Sequence, residues 1–544
     1  SLKELLAHSL PNGSAFSFYH VSTPPTKCAA IFAAPPAVKP ERTYCESHFL
    51  NVAIKPDKAE SAGSALVYGI EVNIYTTKHL TTIFVSKADS TGYLALLKLP
   101  RAQSSPLRSI STTFISWLVK HRQRAGTRLV VSLFARAQDQ YLFPGSVDNE
   151  DKHIADDTAL VKWWCKVLDP ILREYAPEDE PIDPEAPQLE EKTTAQGHVI
   201  IPGLEKYDTL RFFPPTVQSD PPQRKRWTHG HPLRQISSYP SAPPRCLIPH
   251  FPDDPKARYM DELDDELPDG GGGGSMMSPS KGNGCWKSVR SLEQFWDMMA
   301  FRQECSSGRL TGFIWVVFTP PDFKEPEGTD VSSSSQMSVA ETTASEKAAV
   351  GGKRRESMEK AKAPKRKKHK PTDLIVVRKP RAKTASSASS NLPPEVSPYY
   401  AWPSASRGQI VLDEKAYKRA IDLLMRQNYA KLRMAVLSTK KWINEVAILG
   451  GRKHGWGILV EGKRVADVVK TGGSVGSVNT LLGKKKRKSD EVSDTGSGAK
   501  DGVNTLSAGL VRKKRKSIDG EAEATDAGTG VNVLSSGLVR RKPK

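Results

Sequence analysis

Residues 65–88, ALVYGIEVNIYTTKHLTTIFVSKA, constrain the fold more than any other part of this 544-residue chain. The segment is rich in β-branched and aromatic residues, which is the composition of strands. AFSFYHV (15–21) and YLALLKL (93–99) share that composition, so the first 100 residues are predicted to be mostly strands. The centre of the fold is therefore expected to be a sheet.

Helices alternate with strands beyond this point. Helical spacing is found at 107–126, ending on Gly126, at 156–175, after Ser291, and from about Glu414 to Val446 as one long helix. TRLVVSLFAR and LTGFIWVVF are typical of buried strands. The alternation predicts one α/β domain. Its predicted parts are residues 1–323 and a completing segment at 397–460.

Composition separates this predicted core from long polar segments. Three loops interrupt the core, at 177–196, 214–244 and 264–284. Residues 324–396 are predicted to be a disordered basic insert, and residues 461–544 a disordered basic tail. The tail repeats a short apolar anchor followed by a basic cluster, in VNTLLGKKKRK, VNTLSAGLVRKKRK and VNVLSSGLVRRK. Units this small bury almost no surface, so import or docking motifs are favoured over folded repeats.

The formal net charge of +20 is concentrated in these polar segments. Residues 353–370 carry ten Lys/Arg against two Glu, and residues 461–544 carry 18 Lys/Arg against ten Asp/Glu. Detached basic runs indicate nuclear import or non-specific phosphate contacts and argue against recognition of a DNA sequence. The six cysteines include no C-x-x-C pair, so no disulfide framework or zinc site is expected. No stretch approaches the ~18 apolar residues that span a bilayer.

FPDDPKAR, residues 251–258, places two adjacent carboxylates before a helix-like sequence. Asp at the N-cap with Pro at the first helical position is a strong helix-start signal, so Asp254 and Pro255 are predicted to begin a helix. That structural role alone would explain the pair. Because adjacent residues of an extended chain point to opposite sides, at most one of Asp253 and Asp254 is expected to face a substrate. No nearby His or third acid has the spacing of a metal site.

Four motifs in order along the chain resemble the fungal histone H3 lysine acetyltransferases of the regulator-of-Ty-transposition family. They are FVSKADSTGY, SLFARAQDQYLFPGS, KHIADDTALVKWW and FPDDPKAR. The family is structurally related to the CREB-binding-protein acetyltransferases. The resemblance covers the predicted core but neither the insert nor the tail repeats. It implies a single mixed-sheet acetyltransferase core flanked by helices, histone lysine N-acetyltransferase activity, and acetyl-CoA as co-substrate without a metal.

The resemblance also implies the residues of the active site. Asp254 matches the family's active-site aspartate, Asp253 its neighbour, and Lys256 a lysine that family members acetylate on themselves. Asp89 matches an acid near that lysine, and Trp164 lies by the tunnel for the substrate lysine. The positions that match the acetyl-CoA site are Ala88, Asp89, Ser90, Leu97, Lys98, Leu99, Pro100, Arg101, Phe134, Gln138, His153, Ile154, Ala155 and Trp163.

Ordinary structural roles would also account for several of these residues. His153 would support the following helix, Asp89 would be a turn residue before Gly92, and one ring of the Trp163–Trp164 pair would lie in the core. The chemistry nevertheless needs such residue types. A carboxylate can receive the proton of a substrate lysine, and aromatic walls exclude water. Acetyl-CoA brings an activated acyl group, so no protein nucleophile is required.

The same resemblance implies a substrate and partners. The substrate is chaperone-bound histone H3, at N-terminal tail lysines and at a globular-region lysine near where DNA enters and leaves the nucleosome. The setting is replication-coupled nucleosome assembly and the DNA damage response in the nucleus. The anti-silencing-function chaperone is an expected partner. A nucleosome-assembly-type chaperone is doubtful, because only RAGTR stands where its docking insertion occurs. The alternative is a non-catalytic module that binds chromatin or histone chaperones.

Overall fold

A computed structural model describes residues 1–56, 63–99, 105–178, 192–267, 284–302, 309–324, 392–452 and 455–465. All of these residues belong to one compact unit, Ser1–Val469. Most of the predicted insert and tail, with all three tail repeats, lies outside the described residues. The predictions for those segments therefore stay predictions.

The centre of the described core is a mixed sheet. Its strands are β1 (Ala15–Ser22), β2 (Thr26–Cys28), β3 (Thr43–Ile54), β4 (Ala65–Thr76), β5 (Leu80–Ser90), β6 (Arg128–Ala135), β7 (Thr194–Ile200), β8 (Trp227–His229), β9 (Gly312–Thr319), β10 (Ile410–Val411) and β11 (Ile458–Glu461). Their order is β10-β1-β3-β4-β5-β6-β9-β7-β8, with β11 also paired to β1 and β2 to β3. The pairs β5–β6, β7–β8 and β1–β10 are parallel, and the other pairs are antiparallel.

Helices cover both faces of this sheet. They are α1 (Leu2–Ser9), α2 (Pro106–Arg122), α3 (Asp157–Arg173), α4 (Lys206–Leu210), α5 (Pro244–Leu247), α6 (Pro255–Asp264), α7 (Leu292–Phe301), α8 (Glu414–Met425) and α9 (Leu432–Leu449). Side chains of α1, α2, α3, α8 and α9 belong to the same hydrophobic cluster as Ile314, Val316 and Phe318 of β9. Side chains of α6 and α7 pack with the alternate residues Phe313, Trp315 and Val317. This period of two fits a sheet buried on both faces and confirms the predicted fold class.

Local signals in the sequence place several helix starts correctly. The Ser291 hydroxyl accepts from Gln294 N at 3.2 Å and begins α7. Asp254 is the N-cap of α6, and Pro255 is its first residue, as predicted. The described residues contain no helix that is both long and apolar enough to cross a membrane.

Two predicted elements are wrong. YLALLKL is a 3₁₀ turn (Tyr93–Leu97) and not a strand, because Gly92 turns the chain at φ 90° just after β5 ends. The predicted long helix is two helices, α8 and α9. Asn428 accepts from Ala430 N at 2.9 Å, and Tyr429 N donates to Pro144 O at 2.8 Å, which breaks the helix between them.

Other helices and strands begin or end at residues that differ from the predicted ones. Helix α2 ends at Arg122 and not at Gly126, and residues 124 and 127 form a bridge that leads directly into β6. Strand β7 occupies the end of the predicted 177–196 loop. Strand β3 lies in the region predicted to be mostly strands but was not singled out as one, although it lies in the sheet between β1 and β4.

Candidate active site

The sheet divides at the carboxyl ends of its central parallel strands. Strands β5 and β6 are paired only from Leu80↔Arg128 to Phe84↔Ser132. Beyond that point β5 stays paired with β4 as far as Ser90, and β6 stays paired with β9. The facing edges of β5 and β6 thus separate, and the carboxyl ends of parallel strands are where open α/β sheets bind ligands.

A cavity of about 730 Å³ occupies this division. That volume is in the upper part of the range for small-molecule sites, ~300–1,000 Å³. Its walls include the end of β5, the segment after β6, the residues before α3, and the first turns of α2 and α3. Thirteen predicted site residues line it: Ala88, Asp89, Ser90, Lys98, Leu99, Phe134, Gln138, His153, Ile154, Ala155, Trp163, Trp164 and Asp253.

The other predicted site residues lie elsewhere. Leu97 packs against the hydrophobic core. Asp254 and Lys256 are buried and do not line the cavity. Pro100 and Arg101 lie outside the described residues.

The two carboxylates of FPDDPK have different surroundings, as expected for adjacent residues. Asp253 is 58% exposed at the cavity wall, and its Oδ2 lies 3.2 Å from Lys87 Nζ. Its φ is +60°, in the left-handed region that non-glycine residues seldom adopt and that Asp and Asn tolerate best. Such conformations are concentrated at functional sites. Asp253 is therefore the member of the pair that faces the cavity.

Asp254 is buried, where it holds the start of α6 and the side chain of Lys256. Its Oδ1 accepts from Lys256 N at 2.9 Å, which caps α6, and its Oδ2 accepts from Lys256 Nζ. The Lys256 ammonium also lies 4.4 Å from the centre of the Phe313 ring. Burial lowers the pKa of Lys256, and the carboxylate of Asp254 opposes that change.

Phe251 anchors the segment that carries the acid pair. Its ring stacks on Phe84 of β5 with centroids 4.1 Å apart and contacts Tyr75 of β4 at 5.6 Å. His250 N donates to Ile31 O at 2.7 Å. These contacts fix the approach to α6, so the position of Asp253 is set by the sheet.

Asp89 is held by five donors. Its Oδ2 accepts from the backbone N of Tyr141, Leu142 and Phe143 at 2.7, 2.9 and 3.3 Å. Its Oδ1 accepts from Ser90 N at 2.7 Å and from Lys152 Nζ at 3.1 Å. The lysine that the described structure places against Asp89 is thus Lys152, whereas Lys256 contacts Asp254. The geometry supports a role for Asp89 in shaping the cavity wall.

The tryptophan pair forms an aromatic wall. Trp164 is 5% exposed, Trp163 is half-buried, and their rings meet edge to face at 4.8 Å. One of the two rings lies in the core, as expected for a purely structural role of the pair, yet both rings line the cavity. An apolar wall of this kind excludes water from a reacting group.

Three residues near the acid pair were missed in the sequence. Lys87 and Tyr141 line the cavity, and the Glu71 carboxylate lies 3.1 Å from Lys87 Nζ. Burial opposes charge on Lys87, but Glu71, Tyr141 and Asp253 raise its pKa above the ordinary value. Lys87 and Tyr141 lie within the motifs FVSKADSTGY and SLFARAQDQYLFPGS but were assigned no role. Their contact with Glu71 and Asp253 arises only because the fold brings β4, β5 and the chain before α6 together.

Comparison with known proteins identifies the class of this fold and cavity. Residues 2–129 and 125–445 match the profile of the histone acetyltransferase KAT11-type domain. The crystal structure of Rtt109 from Aspergillus fumigatus is 42% identical in sequence, with a TM-score of 0.67, and covers 86% of this chain and 100% of its own. The molecule is a KAT11-type histone acetyltransferase.

Curated relatives narrow the class further. The histone acetyltransferase rtt109 of Aspergillus flavus is 40% identical over 94% of this chain and 98% of its own length. The rtt109 of Schizosaccharomyces pombe is 30% identical over 58% of this chain and 70% of its own. The chain belongs to the Rtt109 family of fungal histone acetyltransferases. Membership implies acetyl-CoA as co-substrate and histones as substrates, and it suggests a nuclear role.

Metal ligands are not grouped in this core. Among the described residues, no three His, Cys, Asp or Glu side chains are arranged so that they could hold a metal ion.

Proposed function

We propose that this acetyltransferase modifies lysines of histone H3 within chaperone-bound H3–H4. The proposed targets are tail lysines and a globular-region lysine near where DNA enters and leaves the nucleosome. The proposed setting is the nucleus, in replication-coupled nucleosome assembly and the DNA damage response. The observation that carries the proposal is the cavity between β5 and β6, with the exposed carboxylate of Asp253 on one wall and the Trp163–Trp164 pair on another.

The cavity walls fit an extended acyl-CoA molecule. Residues 85–90 of β5 present a backbone edge that β6 no longer pairs with, which is suited to hydrogen bonding with amide groups. Lys98 and Arg136 line the same cavity and supply positive charge for phosphates. Ser105, the N-cap of α2, makes no side-chain capping bond, so the first turn of this helix offers N–H donors to an anion.

The residues around Asp253 can prepare a substrate lysine for acyl transfer. A lysine side chain has a pKa of ~10.4 and must lose a proton before its nitrogen can attack. Asp253 attracts the ammonium and receives that proton, while the Trp163–Trp164 wall excludes water and disfavours the charged amine. Bound acetyl-CoA supplies the activated acyl group. Asp254 contributes indirectly, by starting α6 and holding Lys256.

Lys256 is the proposed site of self-acetylation. Burial lowers its pKa, which increases the fraction of neutral amine available for acylation. Acetylation would remove the charge from a group that is only 2% exposed, and the Asp254 carboxylate would keep its hydrogen bond from Lys256 N.

The anti-silencing-function chaperone is the proposed partner that presents H3–H4. Docking of a nucleosome-assembly-type chaperone through an insertion is not proposed. Helix α2 ends at Arg122 and β6 begins at Arg128, and the short connection between them folds back on itself.

Transfer of labelled acetyl from acetyl-CoA to H3–H4, with and without an anti-silencing-function chaperone, tests the proposal. We expect label on H3, more of it with the chaperone, and peptide mapping should place it on tail and globular-region lysines. Label on other histones only, or none on H3, would contradict the proposal. Binding of H3–H4 without transfer would favour the non-catalytic alternative.

Replacing Gly92 with Ala is expected to weaken acetyl-CoA binding. Gly92 has φ 90°, and a Cβ there would lie 2.7 Å from the backbone of Lys152, closer than real Cβ contacts allow. The loop that carries Lys152 to Ala155 would have to move, and this loop lines the cavity. We expect the Kd for acetyl-CoA to rise roughly tenfold, as expected when binding groups are displaced, measured by isothermal titration calorimetry.

Gly13→Ala is the matched control for this prediction. Gly13 has φ 78°, so the backbone strain is comparable, but an added Cβ would meet nothing within 4 Å. Both variants should lose a similar, small amount of stability from the left-handed backbone. Equal Kd values for the two variants would show that the close approach at Gly92 does not matter for the cavity.

A further inference from the structure

Lys87 is the cavity residue whose contacts the proposed reaction leaves unexplained. Its ammonium lies 3.1 Å from the Glu71 carboxylate and 3.2 Å from that of Asp253, and it is 5.9 Å from the centre of the Tyr141 ring. The Lys87 side chain is 17% exposed, and that of Glu71 is 7% exposed. One ammonium thus joins a buried carboxylate of the sheet to the exposed carboxylate proposed to receive the substrate proton.

A sheet irregularity creates this arrangement. Lys87 is paired with Glu71 and Val85 with Val72, so β5 has one extra residue, Ser86, relative to β4 at this point. Such a bulge re-aims the side chains that follow it. It coincides with the place where β5 leaves β6, and both Ser86 and Lys87 line the cavity.

Glu71 is itself fixed from the other side. Tyr417 of α8 is fully buried, and its hydroxyl donates to Glu71 Oε1 at 3.1 Å. Burial and the nearby Glu71 carboxylate raise the pKa of Tyr417 well above its ordinary value, so the hydroxyl stays a neutral donor. Glu71 therefore gives Lys87 an anchor that does not depend on groups in the cavity.

We propose that Lys87 is a positioning residue for acetyl transfer, whose ammonium, anchored by Glu71, holds the Asp253 carboxylate at the cavity wall. This inference rests on the proposed role of Asp253. Asp253 is 58% exposed, on a residue in left-handed backbone, so without the ion pair its side chain would sample several rotamers. Glu71, Lys87 and Asp253 together carry two negative charges and one positive charge, which leaves the group attractive to one further ammonium.

Steady-state kinetics of Lys87→Met test the inference. Met keeps an unbranched side chain, one atom shorter than that of Lys, and removes its charge. We expect kcat/KM for chaperone-bound H3–H4 to fall roughly 10- to 100-fold, as for a displaced catalytic group, while the Kd for acetyl-CoA changes less than threefold. Lys87→Arg should restore most of the activity. Lys120→Met is the matched control, because Lys120 pairs with Glu174 and its side chain is 51% exposed.

The pH profile separates positioning from a merely structural role. The groups that face Lys87 are Glu71 on β4, Tyr141 after β6 and Asp253 before α6. A cation at Lys87 favours the ionised carboxylates, so its removal lets them take up protons at higher pH. The acid limb of kcat/KM should therefore move to higher pH in Lys87→Met and return in Lys87→Arg.

The outcomes distinguish this inference from the proposed function. If the wild-type protein transfers no acetyl to H3, the proposed function is wrong. If wild type transfers and Lys87→Met has the same kcat/KM and the same acid limb, the role of Lys87 is wrong and the function stands. A loss in Lys87→Met with an unmoved acid limb and no rescue by Arg would also overturn the positioning role.

Discussion

Asp253→Asn is expected to abolish most acetyl transfer while leaving the fold intact. Loss of a positioned proton acceptor costs typically ~10²- to 10⁴-fold in rate, and we expect kcat for H3–H4 to fall by that factor. Among residues that carry a side chain, Asn and Asp tolerate the left-handed backbone found at φ +60° best. The variant should therefore keep its thermal midpoint and its Kd for acetyl-CoA. Single-turnover transfer from labelled acetyl-CoA measures the chemical step directly.

Asp261→Asn provides the same chemical change outside the cavity. Asp261 lies on α6, its side chain is 70% exposed, and it contacts His250 at 2.9 Å. We expect wild-type kinetics from this control. If Asp253→Asn retained full activity, another group would have to accept the substrate proton, and the assignment of Asp253 would be wrong.

Asp254→Asn is expected to act on stability more than on binding. The substitution keeps an N-capping group but leaves the Lys256 ammonium buried without its carboxylate. Removing one partner of a buried ion pair typically costs ~3–5 kcal/mol. The free energy of unfolding should fall by about that amount in urea denaturation, and activity should follow the folded fraction.

A double substitution separates the charge from the cap. In Asp254→Asn with Lys256→Met, no buried charge is left unpaired, so most of the lost stability should return. The Kd for acetyl-CoA should stay near that of wild type, because neither residue lines the cavity. A double variant as unstable as Asp254→Asn would mean that the lost stability comes from the start of α6 and not from the ion pair.

Local sequence signals predicted the elements that local chemistry decides. The start of α6 follows from Asp254 and Pro255 alone, and that of α7 from Ser291. The 3₁₀ turn at Tyr93–Leu97 combines a local signal, the positive φ of Gly92, with a distant contact, since the Tyr93 hydroxyl donates to Tyr429 O at 2.8 Å. Apolar composition alone does not distinguish such a turn from a short strand.

Strand β3 shows a second limit of sequence reasoning. It carries Glu46, His48 and Asn51 in fully buried positions, so its sequence lacks the apolar run of an interior strand. Partners from other elements contact two of these side chains: Arg122 of α2 contacts Glu46, and His20 Nε2 lies 3.0 Å from His48 Nδ1. Burial lowers the pKa of His20 well below its ordinary value, so its imidazole is neutral. The burial of this strand therefore depends on contacts with other elements and is not evident from its own sequence.

The residues of the candidate site were also predicted only in part. Motif resemblance found most of the cavity wall, because those residues lie in or close to a few short motifs. It assigned no role to Lys87, which lies within one of these motifs, or to Glu71, since their importance comes from a bulge and from a carboxylate far along the chain at Asp253. The choice between Asp253 and Asp254 also needed coordinates, because only backbone geometry shows which side chain faces the cavity.

The pairing of β1 with β10 and β11 has a consequence for biosynthesis. A ribosome delivers β1 first, yet two of its partners, Ile410–Val411 and Ile458–Glu461, are among the last described residues to emerge. Tyr417, which fixes Glu71 beneath the cavity, also arrives late. A nascent chain must hold an incomplete sheet edge until then, and such edges invite aggregation. Completion of the sheet and of the active site thus waits for these late segments, and chains terminated before Ile410 are predicted to be inactive and cleared as misfolded protein.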